Sequence, residues 1–368
     1  MGDNAAEPRF WTETDPREPA IVELTRILRE ADGPADLSDE WPESLWAPIR
    51  DAGVARWSIP AEHGGEACPR PLLIQRYARL AEASLTSAFI LSQHDAATRR
   101  LMVAADRPAA REWLAAIVDG RAFATVGISQ LTTSRRLGAK ALVATETGPG
   151  RYRLDGGMPW VTAAERADVF ITGAIFDDGR QILLTLPSDR PGVTVKPAFD
   201  LAALQASRTA EVVVDGVEID EADILVGPTM DISSQPGAVG TAGLETSALA
   251  LGQSAAAIRA LAALSADRDD LIEPFELLLD NWRQAWSTLM TCARGEGDAS
   301  AAGRLRVQAN ALAPRATQAY LTARKGRGFL RADPAQRWAR QALFFLVWSC
   351  PTPIAQAAIR ELAGFCPE

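Results

Sequence analysis

The chain is poor in the residues that build metal centres and disulfide frameworks. Its 368 residues include 4 cysteines and 2 histidines, and the cysteines lie far apart with no Cys-x-x-Cys pair. A structural zinc site takes about four such ligands, and a disulfide scaffold needs a dense set of cysteines in a short chain. The sequence therefore predicts free thiols, a reducing cytoplasmic location and no metal site.

Excess positive charge and long apolar runs are also missing. The formal net charge is −9, which argues against a nucleic-acid surface and against a polybasic membrane contact. No uninterrupted run of about 18 apolar residues occurs, so no membrane insertion is expected. Residues 1–17 lack the apolar core of a signal peptide. The remaining composition, 47% hydrophobic and 23% charged, is typical of a soluble globular protein.

The hydrophobic periodicity changes twice along the chain. Apolar residues recur at helical spacing up to about Val118, and Leu72 to Leu91 forms one long stretch rich in leucine and alanine. From Arg121 to about Gly227, short runs that favour strands are separated by turn signals. The boundaries predicted from these changes are a disordered N-terminus at 1–17, a helical domain at 18–120, a β domain at 121–235 and a C-terminal helical bundle at 236–368.

This order predicts an α+β protein with an antiparallel sheet between two helical parts. Antiparallel pairing is expected because turns such as Asp215-Gly216, rather than crossover helices, join the strands. Strands are predicted at 122–128, 141–145, 151–154, 169–175, 181–186, 193–195 and 210–214. A stripe of small and apolar residues from Leu244 to Ala262 suits close helix packing. Further bundle helices are predicted at 273–292, 300–323, 335–348 and 354–362.

One strand-like segment, residues 155–162 (Asp-Gly-Gly-Met-Pro-Trp-Val-Thr), combines an indole and a hydroxyl two residues apart. In an extended strand such residues point to the same side, so Trp160 and Thr162 are expected to share one face. That face would suit a flat ring system with polar edges. The alternative from the pattern alone is an ordinary half-buried strand with a core tryptophan.

Three stretches, in matching order and separation, resemble the acyl-CoA dehydrogenase family over most of the chain. Residues 155–162 are similar to the family's Asn-Gly-x-Lys-x-Trp-Ile-Thr, and residues 205–211 (Gln-Ala-Ser-Arg-Thr-Ala-Glu) to its Arg-Gly-Ser-x-Thr-x-Glu. Residues 60–65 (Pro-Ala-Glu-His-Gly-Gly) resemble its Pro-Glu-Glu-Tyr-Gly-Gly turn. The resemblance implies an N-terminal α-helical domain, a middle antiparallel β domain and a C-terminal four-helix bundle that together enclose FAD.

The resemblance also implies where the flavin is held. The family's flavin-facing Val-Thr-Glu-Pro-Gly-Ala-Gly-Ser reads Ile-Ser-Gln-Leu-Thr-Thr-Ser at 128–134 here, so a hydroxyl is kept and the glycine-rich loop is lost. The implied cofactor contacts on these two strands are Ile128, Ser129, Gln130, Ser134, Trp160, Val161 and Thr162. A turn whose serine and threonine side chains bond their own backbone is the alternative explanation for the hydroxyls.

The half of the site that holds the dinucleotide departs further from the family pattern. The family's Arg-x-x-Phe, whose arginine meets the pyrophosphate, corresponds to Arg268-Asp-Asp-Leu. Its Gln-x-x-Gly-Gly-x-Gly-Tyr, which contacts the cofactor of a neighbouring subunit, reads Thr-Ala-Arg-Lys-Gly-Arg-Gly-Phe at 322–329. Arg268 and Gly326 are the contacts carried over, while a solvated basic turn at a helix end is an equally good interpretation.

The catalytic base of the family is absent from its usual position. The glutamate of the family's Tyr-Glu-Gly-Thr falls on Ser349, and a serine hydroxyl is too weak a base without a partner. Some branches of the family place the base at the start of the first bundle helix. The nearest acid there is Glu245, about one turn beyond the position of Ala242, and burial is expected to raise its pKa towards neutrality. The alternative role for Glu245 is a favourable charge at a helix N-terminus.

These residues leave three functional hypotheses open. The first is FAD-dependent α,β-oxidation of an acyl thioester, carried by CoA or by a carrier protein, because the family arginine that meets the CoA arm is Gly243 here. The second is a flavin monooxygenase on the same fold, which needs no glutamate at the base position. The third is a non-catalytic partner subunit. The resemblance implies a homodimer or homotetramer, in which the apolar segment 344–348 is expected to be buried in the bundle or in a neighbour.

Overall fold

A helical part, a β-sheet and a second helical part follow one another in the computed structural model, which describes residues 8–131, 142–232, 243–348 and 352–364. The N-terminal helices are α1 (Glu18–Asp36), α2 (Glu43–Asp51), α3 (Arg70–Ala83), α4 (Leu85–Val103) and α5 (Pro108–Val118). The order of helical and strand segments is the order that the periodicity predicts. The limits predicted for the domains stay predictions.

The apolar stretch from Leu72 to Leu91 is divided between two helices. Ser84 has an extended backbone and its hydroxyl accepts a hydrogen bond from the backbone N–H of Ser87, so it caps the N-terminus of α4. The same hydroxyl donates to the buried carboxylate of Asp32 at 2.7 Å. Leucine and alanine are compatible with helix on both sides of this break, which is why the hydrophobic pattern does not reveal it.

The prediction of a disordered N-terminus is wrong for residues 8–17, which pack onto the helices. Phe10 is buried against Trp282, with ring centroids 4.7 Å apart. Asp15 forms a bidentate ion pair with Arg76 of α3, at 2.7 and 2.8 Å. The side chain of Gln75 accepts from the backbone N–H groups of Thr12 and Glu13. The polar, acidic composition of this segment suggested disorder. The residues that hold it in place are distant in the sequence, so the local composition does not reveal them.

The middle of the chain forms one sheet. Its strands are β1 (Ala124–Gly127), β2 (Val143–Gly148), β3 (Arg151–Val161), β4 (Val169–Ile175), β5 (Gln181–Pro187), β6 (Val193–Val195), β7 (Ala210–Asp220) and β8 (Ile224–Thr229). The order is β6-β7-β3-β2-β4-β5-β8, and β1 pairs with β4. Most pairings are antiparallel, as predicted, whereas β1 runs parallel to β4 and β2 touches β4 in parallel at its end.

Two features of this sheet depart from the sequence prediction. Strand β8 was not predicted. The Asp215-Gly216 turn signal does not end a strand, because β7 continues through it to Asp220. The register between β3 and β7 shifts here, and Gly216 has a φ of 61°, so the glycine forms a β-bulge. Its backbone N–H donates to the Asp155 carboxylate at 2.8 Å, which stabilises the bulge.

The C-terminal part is a helical bundle. It contains α6 (Leu244–Ser265), α7 (Ile272–Ala293), α8 (Ala301–Arg324), α9 (Pro334–Ala342) and α10 (Thr352–Leu362). Ala248, Leu251, Ala255 and Ile258 of the predicted stripe on α6 are buried, and its end members are partly buried. A Cβ atom on Gly252 would lie 2.1 Å from the carbonyl oxygen of Ala78. Glycine is therefore required there for α6 to approach α3.

Among the described residues, α6 has the length and apolar composition of a membrane-spanning helix. Most of its apolar window, 72%, is buried inside the protein. Burial of this kind identifies α6 as the central helix of the bundle, since a lipid-facing helix would present its apolar residues to the outside.

Candidate functional site

Helix α4 contacts the segment that precedes Ser349, the position at which the family has its catalytic base. Phe89 of α4 packs edge-on against Phe344 and Trp348, with ring centroids 4.7 and 5.0 Å away. The rings of Phe344 and Trp348 are themselves stacked. Ser349 lies outside the described residues, but the residue before it is held beside α4.

The same helix is fixed to the β domain through a buried histidine. Nδ1 of His94 donates to the carbonyl of Ala124 in β1 at 2.9 Å. Burial lowers the pKa of His94 to about 4, so the ring is neutral at pH 7. The neighbouring rings of Trp46 and Phe123 enclose it. Helix α4 is therefore held in a fixed position between the β domain and the bundle.

Trp160 of β3 presents its indole to the outside of the chain. Its exposed fraction is 53%, and its ring centroid lies 4.7 Å from that of Phe199. This exposure excludes the alternative of a core tryptophan. Two adjacent aromatic rings at the surface form a platform on which a flat ligand can pack.

Thr162 lies in a different environment from Trp160. Strand β3 ends at Val161, and its register with β7 shifts between Met158 and Val161. The regular alternation that would place both side chains on one face is therefore interrupted. Thr162 is buried, and Val161 belongs to the hydrophobic core.

Thr162 belongs to a buried hydroxyl cluster with Ser207 and Thr209. The Ser207 and Thr209 hydroxyl oxygens are 2.8 Å apart, and the Thr209 hydroxyl donates to that of Thr162 at 3.4 Å. The pairing of β3 with β7 thus joins two of the three motifs from which the family resemblance was drawn. The carbonyl of Thr162 also accepts from Thr125 of β1 at 2.9 Å.

The stretch after β1 is described only up to Leu131, so Ser134 lies outside the described residues. Ile128 and Ser129 are partly buried. Gln130 is fully buried and turned into the sheet, where its amide nitrogen donates to the carbonyls of Gly127 and Gly173. The amide nitrogen of Gln130 therefore joins β1 to β4, while its amide oxygen is buried without a hydrogen-bond partner among the described residues.

The structure brings Arg268 beside the turn that contains Gly326. Arg268 donates to the carbonyl of Ala323 near the end of α8 at 2.9 Å, and it forms a two-point contact with Asp270 at 2.6 and 3.2 Å. Gly326 is exposed with no neighbour near its Cα. The guanidinium of Arg268, which was expected to bind a pyrophosphate, is therefore already paired with the Asp270 carboxylate.

Glu245 lies in the first turn of α6, buried between α6, α3 and α4. Its Oε1 contacts Nη1 of Arg70 at 2.8 Å and Nη1 of Arg99 at 3.1 Å. Burial would raise the pKa of Glu245, but the guanidinium groups of Arg99 and Arg70 outweigh it and lower the pKa to about 2. The expectation that this pKa lies near neutrality is therefore wrong, because the two positive neighbours from other helices were not visible in the sequence.

A second buried acid, Asp95, was missed by the sequence analysis. It lies on α4 and accepts a short hydrogen bond from the Tyr77 hydroxyl. Burial raises the pKa of Asp95 to about 7, against the lowering effects of Tyr77 and Arg99. Asp95 and Arg99 are four residues apart and therefore share one face of α4. This acid–arginine pair at helical spacing was the available clue.

Comparison with known proteins places this geometry in context. The chain is similar to the probable acyl-CoA dehydrogenase YngJ of Bacillus subtilis (strain 168), with 26% identity over 166 residues. The match spans 44% of this chain and 43% of that protein, so it covers less than half of the relative. No model of a protein family matches the chain.

Solved structures share the fold over nearly the whole length. A glutaryl-coenzyme A dehydrogenase in complex with glutaryl-CoA has a TM-score of 0.81 at 15% identity, covering 96% of both chains. The dibenzothiophene monooxygenase TdsC from Paenibacillus sp. A11-2 has a TM-score of 0.75 at 19% identity, covering 94% of this chain and 95% of that one. The predicted fold class, shared by dehydrogenases and monooxygenases, is confirmed. The chain therefore has the fold of the acyl-CoA dehydrogenases, and part of its sequence is similar to members of that family.

Proposed function

We propose that this chain is an FAD-dependent oxidoreductase that removes hydrogen from the α and β carbons of an acyl thioester, with Glu245 as the base. The observation that carries the proposal is the position of Glu245. It is a buried carboxylate at the start of α6, and it contacts the same helix α4 that borders both the β domain and the segment leading to Ser349.

The exposed aromatic platform and the strand ends beside it fit a flavin ring. Trp160 and Phe199 offer a flat apolar surface, and the backbone of residues 128–130 and the hydroxyl cluster of Thr162, Ser207 and Thr209 offer polar groups nearby in the β domain. The pyrophosphate end fits less well, because Asp270 occupies Arg268. The poorer fit for the pyrophosphate favours FMN as the alternative cofactor, which the monooxygenase TdsC binds.

Glu245 would accept the α proton of the thioester. At pH 7 it is ionised and so has a free lone pair, but its two guanidinium neighbours make it a weak base. Substrate binding must therefore loosen at least one of these contacts for proton transfer to proceed. A bound flavin would supply the acceptor for the hydride, which leaves the β carbon with its bonding electron pair.

The carrier of the thioester is proposed to be CoA or a carrier protein. Gly243 stands where the family has an arginine for the CoA arm, and it has no side chain with which to bind a phosphate. A Cβ atom on this residue would lie 2.3 Å from Oε2 of Glu245. The missing side chain therefore leaves room for the Glu245 carboxylate.

The test begins with the visible spectrum of the purified protein, in which a bound flavin absorbs near about 370 and 450 nm. Anaerobic mixing with an acyl thioester should then bleach the band near 450 nm. Glu245→Gln should slow this bleaching by about 10²–10⁴-fold while flavin content is unchanged. Glu273→Gln is the matched control, because Glu273 is exposed in the first turn of α7.

Equal bleaching rates in the wild type and Glu245→Gln would rule out Glu245 as the base. A protein that binds no flavin in any form would belong with the non-catalytic relatives. Both outcomes are read from the same spectra.

The two ion pairs that Glu245 forms with arginines favour flavin-dependent monooxygenation as a second candidate function. That reaction needs no base at this position, and two ion pairs hold this carboxylate away from proton transfer. Incorporation of one ¹⁸O atom from labelled dioxygen into a product, with no bleaching by thioesters, would select this candidate over dehydrogenation.

A homodimer or homotetramer is proposed as the functional assembly. Phe345 is buried within the chain, as expected for the 344–348 segment, but 73% of Val347 is exposed. Leu343, Ile359 and Leu362 nearby along the chain are exposed as well. A neighbouring subunit would cover these apolar groups, and static light scattering at micromolar concentration tests this: a strictly monomeric protein would contradict it.

A further inference from the structure

Two arginines from different helices converge on a single carboxylate oxygen at the start of α6. Arg70 of α3 and Arg99 of α4 both direct Nη1 at Oε1 of Glu245, while their side chains are 39% and 35% exposed and that of Glu245 is 8% exposed. Both arginine side chains are therefore partly exposed, whereas the carboxylate that they share is almost fully buried. Asp95, the other acid beside Arg99, is only partly ionised at pH 7 because burial raises its pKa to about 7, so the two guanidinium groups carry more positive charge than their acidic neighbours offset.

Two ion pairs of this chain that are closed to solvent are built differently. Asp15 and Arg76 form a one-to-one pair with side chains 0% and 3% exposed, and Asp32 pairs with Arg337 at 2% and 9% exposure. A pair that only ties helices together needs one cation for each anion and excludes water. The group of Arg70, Arg99 and Glu245, here called the arginine clamp, has an additional cation and remains open.

The arginine clamp also has unused hydrogen-bond donors. A guanidinium carries five N–H groups in a planar fork. Among the described residues, Arg70 makes one hydrogen bond, to Glu245, so most of its N–H groups are available to a ligand. Donors of this kind bind carboxylates and phosphates in two-point contacts.

We propose that Arg70 and Arg99 bind an oxyanion of the substrate, either a carboxylate at the far end of the acyl chain or a phosphate of the thiol carrier. This inference rests on the proposed function, in which Glu245 acts on a thioester at the same site. An oxyanion that takes over the guanidinium groups would release the Glu245 carboxylate. Substrate recognition and activation of the base would then be one event, which would exclude thioesters that lack the anion.

Calorimetric titration of the purified holoprotein distinguishes the two sources of the oxyanion. The first pair of probes is the butyryl and glutaryl thioesters of N-acetylcysteamine, which share a chain and differ by a terminal carboxylate. The second pair is butyryl-pantetheine and butyryl-4′-phosphopantetheine, which differ by a phosphate. We expect the anionic member of one pair to bind at least about tenfold more tightly, since hydrogen bonds to charged groups contribute about 1.5–3 kcal/mol.

The variants Arg99→Met and Arg70→Met should abolish that preference, and Arg99→Lys should retain part of it. Arg304→Met is the matched control, because Arg304 is an exposed residue of α8 paired only with groups at its own helix start. Unchanged circular dichroism of each variant shows that the fold is intact. Equal binding within both pairs of probes, or a preference that survives Arg99→Met and Arg70→Met, overturns the inference.

Binding and chemistry are measured separately, so the two proposals fail in different ways. A lost anion preference in the arginine variants, combined with unchanged flavin bleaching in Glu245→Gln, would refute Glu245 as the base and keep the anion site. Normal dependence of bleaching on Glu245 with no anion preference in either pair would keep the base and refute the anion site.

Discussion

Helix α3 carries two arginines whose ion pairs have opposite character. Arg76, in its middle, is sealed against Asp15 in a bidentate pair that attaches the N-terminal segment to the helices. Arg70, at its start, is partly exposed and shares Glu245 with Arg99. The same residue type on one helix thus forms a closed structural pair in the middle of the helix and a partly exposed group at its start.

The difference shows how a stabilising ion pair is distinguished from one available for chemistry. A closed pair has matched charges and is shielded from water, so disrupting it leaves a buried charge without a partner. An open group has surplus donors and access to solvent, so its contacts are exchangeable. This contrast predicts that substitutions in the two groups affect different measurements.

The largest effect on stability is expected from Asp15→Asn. Loss of this carboxylate leaves the buried Arg76 guanidinium without its anion, which costs about 3–5 kcal/mol of unfolding free energy. Urea denaturation followed by circular dichroism measures the cost. Glu13→Gln, in the same segment but with a partly exposed partner in Arg294, is the control, and a cost below about 1 kcal/mol for Asp15→Asn would contradict the closed-pair interpretation.

A pH dependence of stability is expected from Asp95. Burial raises the pKa of Asp95 to about 7 in the folded protein, against about 3.9 in the unfolded chain. The unfolded state therefore binds fewer protons between these values, and stability falls as the pH rises from about 4 to 7, by at most about 1.4 kcal/mol per pH unit. Asp95→Asn should remove this slope, and an identical pH profile in that variant would contradict the assignment.

A smaller effect on stability is expected from Arg70→Met. The Arg70 side chain is more than a third exposed and Glu245 retains Arg99, so the unfolding free energy should change by no more than about 1 kcal/mol. The same denaturation experiment sets this variant beside Arg76→Met, which should lose several times more. A loss as large as that of Arg76→Met would mean that the arginine clamp is a structural tie.

The smallest effect on stability is expected from Trp160→Ala. Because its indole is mostly exposed, the flavin-free protein should change by no more than about 0.5 kcal/mol. The Kd for flavin should nevertheless rise up to about tenfold, since an aromatic contact contributes about 0.5–1.5 kcal/mol. Fluorescence titration with FAD measures it, with the exposed Met230→Ala as control, and unchanged affinity would remove Trp160 from the proposed flavin site.

Local patterns in the sequence were sufficient for the order of helices and strands and for the fold class. The alternation of apolar residues depends on which face of an element is buried, and this follows from residues close together in the chain. The motifs at 155–162 and 205–211 also proved to be neighbours, because β3 and β7 pair there. Local turn chemistry was less reliable: Asp215-Gly216 forms a bulge within β7, and Ser84 separates α3 from α4.

Only the tertiary structure decided the electrostatics of the candidate site. Glu245 was predicted from its position at the start of a helix. Arg70 lies 175 positions away in the chain, and no local sequence pattern indicates that the two side chains are in contact. Charge interactions depend on distance and burial in space. The sequence by itself therefore determined the fold class and the presence of an acid at the start of α6. The packing of α3 and α4 against α6 decided that this acid is held ionised by two arginines.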